Sequence, residues 1–199
     1  YFSEICFMYS FFEHFTFFDY TPYMQAHLDH WQALGLTFDC VYSGFLGSEQ
    51  QICFVQRLMT DFDSGIAVID PVMGDNGKVI KTYNDAMCCT MGDLVAMADY
   101  ATPNVTEACI LTGRSYCSDA LDQAESQAIC AELVAKGTRN VVLTGVQRGD
   151  TLYNCGIEAG AGYFELPIPL LPYHMHGTGD LFTSTMVAGL MRGYDLKTS

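Results

Sequence analysis

The sequence predicts an α/β protein, a three-layer α/β/α sandwich around a mostly parallel central sheet. Three observations lead there. Helix and strand patterns alternate along the chain, as crossover connections between parallel strands require. The run Gly65-Ile66-Ala67-Val68-Ile69-Asp70 is short, continuous and apolar, which marks a fully buried strand. Glycines follow two of the helical segments at the point where the chain must turn back.

The first elements lie in the order that this fold needs. Thr21-Pro22 opens a helix through about Leu34, stopped by Gly35, and Phe38 to Ser43 reads as a strand. Gln50 to Asp61 is the next helix, then come the Ile66 to Ile69 strand and a turn-rich loop over Pro71-Val72-Met73-Gly74-Asp75-Asn76-Gly77. Ala98 to Ala101 is a short strand. The segment Thr102-Pro103-Asn104-Val105-Thr106-Glu107-Ala108 then carries a cap residue, a helix-favoured proline and an acid in the first turns of a helix. Asp122 to Lys136 is a helix ended by Gly137, and Asn140 to Thr144 a strand leading to Gly145. Thr151 to Ile157 and Gly162 to Leu166 read as antiparallel additions, a small β extension. His176-Gly177-Thr178-Gly179-Asp180 opens the last helix, whose apolar run spans Leu181 to Leu190. With no repeat, low-complexity tract or linker, residues 1–199 read as a single domain, and 50% apolar residues suffice for its core.

The formal net charge of −14, from 23 acids against 9 bases, leaves no basic stripe to neutralise phosphates. Nucleic acid and anionic membranes are therefore not expected partners. The aromatic opening is interrupted by Glu4, Glu13 and His14 and lacks a basic start, so it reads as neither a signal peptide nor a spanning helix. The nine cysteines show no C-x-x-C pairing, and several sit in apolar contexts, such as Ala108-Cys109-Ile110. Reduced thiols and the absence of a secretory pattern point to the cytoplasm.

Chemistry concentrates in three places. In His176-Gly177-Thr178-Gly179-Asp180 a glycine-rich turn and one carboxylate meet where a helix begins. Free N–H groups and the positive end of the helix dipole attract phosphate there, and Asp180 stands beside whatever binds. The same string also describes an ordinary helix start. Asp70 and Asp75 leave a strand end together, and Asn104 and Glu107, three apart, are placed on one side of their helix. Ligands of open α/β sheets bind at the carboxyl ends of the strands, and hard oxygens gathered there suit magnesium on a nucleotide. Read singly, Asp75 shapes a turn and Glu107 is a solvated helix residue. No G-x-x-x-x-G-K-[ST] loop and no G-x-S-x-G elbow occur, so nucleotide use would not be of the P-loop kind and a serine hydrolase is unsupported. His27 and His30 are spaced like metal ligands or like packed and solvated rings. His174 and His176 precede the glycine turn, which puts His176 within reach of a phosphate.

Together these strings resemble the pyridoxal kinase group of the ribokinase superfamily over roughly residues 12 to 194. The matching segments are Tyr42-Ser43-Gly44-Phe45-Leu46-Gly47-Ser48, Asp70-Pro71-Val72-Met73-Gly74-Asp75, Ala101 to Ala108 with Leu111-Thr112-Gly113, Val141-Val142-Leu143-Thr144 and Gly177 to Phe182. The resemblance implies a ribokinase-like fold and ATP-dependent phosphorylation of the hydroxymethyl group of pyridoxal, pyridoxine or pyridoxamine in vitamin B6 salvage. It makes Asp180 the general base, with the N–H groups of Gly177, Thr178 and Gly179 on the transferring phosphoryl group. Asp75 and Glu107 then belong to a Mg2+ site through water, with Asp70 near a monovalent cation or magnesium. Asn104 and Thr144 lie near the ATP phosphates and Thr102 near the ions. Phe45 takes a position where the group often has tyrosine, so the aromatic face against the pyridine ring is kept and its hydroxyl lost. The resemblance also suggests a homodimer.

The chain departs from the group at its ends. Members begin with a strand carrying a ring-binding serine and then a threonine-histidine-threonine-glycine segment, neither of which precedes Phe12, and their closing elements are missing after Asp195. The chain is therefore read as shortened on both sides. A hydroxymethylpyrimidine acceptor is the related alternative, and there a cysteine is expected in place of Asp180. A catalytically silent nucleotide-binding protein of the same fold is the other.

Overall fold

The computed structural model describes residues 18–116, 121–170 and 177–199. The aromatic opening segment, His174 and His176 lie outside the described residues.

A six-stranded sheet forms the centre. Strands β1 (Phe38–Ser43), β2 (Ser64–Ile69), β5 (Tyr100–Ala101) and β6 (Asn140–Arg148) run parallel in that spatial order. β7 (Thr151–Glu158) and β8 (Gly162–Pro169) extend it antiparallel, as the sequence predicts. Strand register decides which residues meet at the sheet edge. Ser43 pairs with Ile69 and Ile69 with Ala101, so the next residues, Gly44, Asp70 and Thr102, leave the sheet side by side at its carboxyl edge.

Alternation along the strands feeds two cores. On one face Val41, Ile69, Ala101, Val141 and Leu143 pack with helices α2 (Glu49–Asp61), α3 (Asp85–Ala96), α4 (Val105–Thr112) and α5 (Gln123–Ala135). On the other, Val68 and Val142 meet Met186 of α6 (Thr178–Met191) and Leu196. The expected three layers are thus present. α1 (Thr21–Ala33) sits outside α2, sharing a cluster in which Met24 and Leu28 meet Phe54 and Phe62. β1 and β2 approach closely at Gly65, where a Cβ would stand 2.3 Å from the Asp39 carbonyl oxygen. Only glycine fits there.

Three differences from the sequence reading bear on the site. α3 was not anticipated between the loop and β5. The turn-rich loop contains a hairpin, β3 (Gly74–Asp75) with β4 (Lys78–Val79), turning through Asn76 and Gly77 at φ 49° and 73°. Two consecutive positive φ values are what a two-residue hairpin with the strand twist needs, and Asn-Gly supplies them. β6 does not end at Thr144. It shifts register between Leu143 and Val146 and continues to Arg148, whose guanidinium holds Glu165 of β8 at 2.8 and 2.9 Å and the Leu121 carbonyl at 2.6 Å.

No helix among the described residues is long and apolar enough to cross a membrane.

Candidate active site

The carboxyl edge of the sheet gathers two connected groups of polar side chains. The first centres on Asp70 and Asp180. Asp70 follows β2 and is buried. Asp180 lies in the first turn of α6 and is exposed, yet it faces inward toward Gly44: a Cβ there would stand 3.8 Å from Asp180 Oδ1. A Cβ on Gly179 would likewise stand 3.7 Å from Asp70 Oδ2. Thr183, one turn on, bonds Thr102 hydroxyl to hydroxyl at 3.0 Å. Gly177 caps α6 in the left-handed region at φ 77°, with no side-chain hydrogen bond to the first-turn N–H groups. Among the described residues no side chain occupies those donors, and an uncapped first turn is what a phosphate site requires.

The second group centres on Glu107. Asn104 is the N-cap of α4, so Pro103 lies outside the helix and the pair is a capping box rather than two side chains on one helical face. Asn104 Oδ1 accepts from the Glu107 N–H at 3.0 Å, and Glu107 Oε2 accepts from the Asn104 N–H at 2.9 Å. The other oxygen, Oε1, accepts from the Met73 N–H at 3.1 Å, while Asn104 Nδ2 donates to the Gly74 carbonyl at 2.9 Å. Gly77 N–H closes the set on Thr106 Oγ1 at 2.9 Å. The β3–β4 hairpin is therefore fastened to the first turn of α4. Thr144 N–H bonds the Pro103 carbonyl at 2.9 Å, which sets Thr144 beside Asn104. Asp75 is exposed at the hairpin and its carboxylate bonds its neighbour Asn76.

The Gly44 to Gly47 loop rims the first group. Buried Gln51 steadies it, accepting from the Gly47 N–H at 2.6 Å and donating to Thr21 Oγ1 at 2.7 Å. Phe45 is half-buried with its ring 6.4 Å from that of Tyr83.

The electrostatics are one-sided. None of the ion pairs among the described residues reaches Asp70, Glu107 or Asp180. Burial, then the charge of Asp180, pushes the Asp70 carboxyl up to about 7, against a lowering by the Thr183 hydroxyl. Burial likewise raises Glu107 to about 8, with the Asp70 charge adding to it and the backbone N–H groups of Asn104, Met73 and Gly74 opposing it. Both groups bind protons more tightly folded than unfolded, so the stability they contribute is full below about 4 and is lost as pH rises through 7 to 8. Acids with lowered values, such as Glu165, titrate below that window. The metal-free protein is thus expected to melt lower at pH 8 than at pH 5 by roughly 10 °C or more, since each unit is worth about 1.4 kcal/mol and both groups titrate across that range. Asp70→Asn should flatten that slope in a pH series of melting curves.

The register thus brings Asp70, Thr102 and Gly44 together, and α6 adds Gly177 to Asp180. Asn104, Glu107, Thr144 and the hairpin form the adjoining group, joined to the first through the Asp70–Glu107 interaction. Among the described residues no three acids, histidines or cysteines are close enough to hold a metal ion by themselves. Two residues of the first group escaped the sequence reading as site residues, Thr183 and Tyr42. Tyr42 is the last residue but one of the predicted strand Phe38 to Ser43, and its place near the carboxyl end of that strand is the signal that marks it.

The fold is that of a ribokinase-like protein. The phosphomethylpyrimidine kinase family profile matches residues 25–199, and the chain belongs to that family. A Bacteroides thetaiotaomicron protein described as a phosphomethylpyrimidine kinase, crystallised with pyridoxal, superposes with a TM-score of 0.86 over 93% of this chain and 66% of that one, at 34% identity. A pyridoxal kinase of Deinococcus radiodurans is 31% identical over 183 residues, which cover 86% of this chain and 59% of the relative. A hydroxymethylpyrimidine/phosphomethylpyrimidine kinase of Haemophilus influenzae is 29% identical over 161 residues, 78% of this chain and 58% of the relative. These matches support the resemblance to the pyridoxal kinase group drawn from the motifs. The chain spans nearly three-fifths of the length of both curated relatives.

Proposed function

We propose that this chain carries the site of an ATP-dependent kinase that phosphorylates the hydroxymethyl group of a pyridoxine-type acceptor. One observation carries the reading: a carboxylate, Asp180, stands in the first turn of a helix whose N–H groups no described side chain caps, facing the carboxyl edge of a parallel sheet. Asp180 accepts the proton of the acceptor hydroxyl as its oxygen attacks the γ-phosphorus of ATP and ADP departs. The N–H groups of Gly177, Thr178 and Gly179 bind the charge on the transferring phosphoryl group. In this reading Asn104 and Thr144 border the triphosphate, and the ring of Phe45 packs against the acceptor.

The donor set fits a cation. Asp70 and Asp180 are close like charges with no basic partner among the described ion pairs, and hard carboxylate oxygens suit Mg2+. When bound, Mg2+ would neutralise phosphate charge, held by Asp70 with Thr102 nearby and by Asp75 and Glu107 through water. Phosphate and water oxygens would complete its shell, since the described residues alone do not offer three ligands.

The Haemophilus relative keeps a hydroxymethylpyrimidine acceptor as a second reading. Asp180 favours the first, because a cysteine is expected at that position in the second. ADP release is to be measured with purified protein, ATP, Mg2+ and each B6 vitamer or hydroxymethylpyrimidine in turn. Vitamer-dependent release is the expected result. Release with the pyrimidine alone would replace the reading, and release with neither would leave a silent scaffold.

A further inference from the structure

Tyr42 lies in β1 two residues before Gly44, and the proposed phosphoryl transfer leaves it unused. Side chains alternate along β1, so Val41 enters the core beneath α2 and α3 while Tyr42 turns to the opposite face, against which α6 packs. There its hydroxyl is directed toward those of Thr183 and Ser184, with Asp70 and Asp180 close by. Tyr42 Oη and Asp180 Oδ1 flank one opening: a Cβ on Gly44 would stand 3.9 Å from the first and 3.8 Å from the second. Thr183 is in turn fastened to Thr102 at 3.0 Å. The Thr102–Thr183 bond thus ties α6 to the residue that follows β5, and the Tyr42 hydroxyl stands by the same part of α6 from β1, at a helix end that no described side chain caps. Tyr42 keeps 37% of its surface exposed, but desolvation of the hydroxyl first, then the charges of Asp70 and Asp180, push the phenol far above its ordinary value, so it stays protonated at any working pH.

Asp180 needs such a brace. It is exposed and follows a Gly-Thr-Gly turn, whose backbone has wide conformational freedom. A general base acts only from a fixed position, and misplacement by about 1 Å costs roughly a hundredfold in rate.

We propose that Tyr42 is a positioning residue for Asp180: its hydroxyl braces the first two turns of α6 from β1 and keeps the Asp180 carboxylate aimed at the opening over Gly44. This rests on Asp180 being the base in the proposed reaction. Tyr42→Phe keeps the ring and its packing, and should lower kcat roughly tenfold while the KM for ATP stays within about twofold. In an Asp180→Ala background the same substitution should cost nothing further, because there is no base left to position. Losses that multiply, or an unchanged kcat in the single variant, would overturn the inference.

A second measurement needs no turnover. In protein labelled with 13Cζ-tyrosine, the resonance missing from Tyr42→Phe should shift when Asp180 is replaced by Asn. A resonance unmoved by that change would refute the brace. If no acceptor is phosphorylated at all, the kinase reading fails, and the NMR result alone then decides the contact between Tyr42 and α6.

Discussion

Asp180→Ala is expected to lower turnover by roughly 10² or more while leaving nucleotide affinity in place, the scale on which a positioned general base acts. The side chain is exposed at the start of α6, and alanine is the best helix former, so the fold loses little. One electrostatic feature survives the substitution and one changes. The first-turn N–H groups of Gly177 to Gly179 remain to bind phosphate, which preserves affinity and a residual rate. Asp70 loses the neighbouring charge that helps raise it, so its carboxyl moves back toward the ordinary range. Asp180→Asn sharpens the test, because an amide can still hydrogen-bond the acceptor but cannot take its proton. Both variants should therefore lose turnover to a similar degree. Calorimetric titration with a nonhydrolysable ATP analogue, set beside ADP release, separates binding from chemistry. Equal rates in variant and parent would remove Asp180 from the mechanism.

What the sequence discloses here, and what it withholds, depends on the range over which each signal acts. The parallel strands were legible because runs such as Ile66 to Ile69 are buried on both faces and must be apolar throughout. α3 was not, since Asp85-Ala86-Met87-Cys88-Cys89-Thr90-Met91-Gly92 mixes cysteine, methionine and an interior glycine with no clear apolar stripe. Its one local sign is Asn84, which accepts from the Met87 N–H at 2.8 Å as an N-cap. The hairpin carried a stronger signal in Asn76-Gly77, but strands of two residues show no alternation around it. Asn104 and Glu107 were visible as a pair, and the spacing N-x-x-E is also the capping-box signature, which assigns their side chains to each other's backbone. The convergence of Gly44, Asp70 and Thr102 is different in kind. It depends on pairing between segments roughly thirty residues apart, and the register that sets it exists only once the sheet has formed.

Glu107 is where structure and chemistry compete for the same two oxygens, and its substitutions should have the largest effect on stability. Glu107→Ala removes the acceptors of the Met73 and Asn104 N–H groups and undoes the capping box that ties the hairpin to α4. A lost cap costs about 1 kcal/mol and each buried N–H left without an acceptor about 1–3. Relief from burying a carboxylate, raised here to about 8, offsets part of this. A net loss of about 2–4 kcal/mol in denaturant unfolding is expected. Glu107→Gln divides the roles. Its carbonyl oxygen can serve one N–H but its amide nitrogen faces the other as a second donor, so stability should fall by only about 1–2 kcal/mol. If Glu107 also holds Mg2+ through water, the neutral amide should cut turnover at least about tenfold and raise the Mg2+ concentration needed for half-maximal rate, an effect beyond what its stability loss explains. Unchanged activity and Mg2+ dependence in Glu107→Gln would confine this residue to fastening the hairpin, leaving Asp70 and Asp180 as the acidic groups nearest the proposed cation.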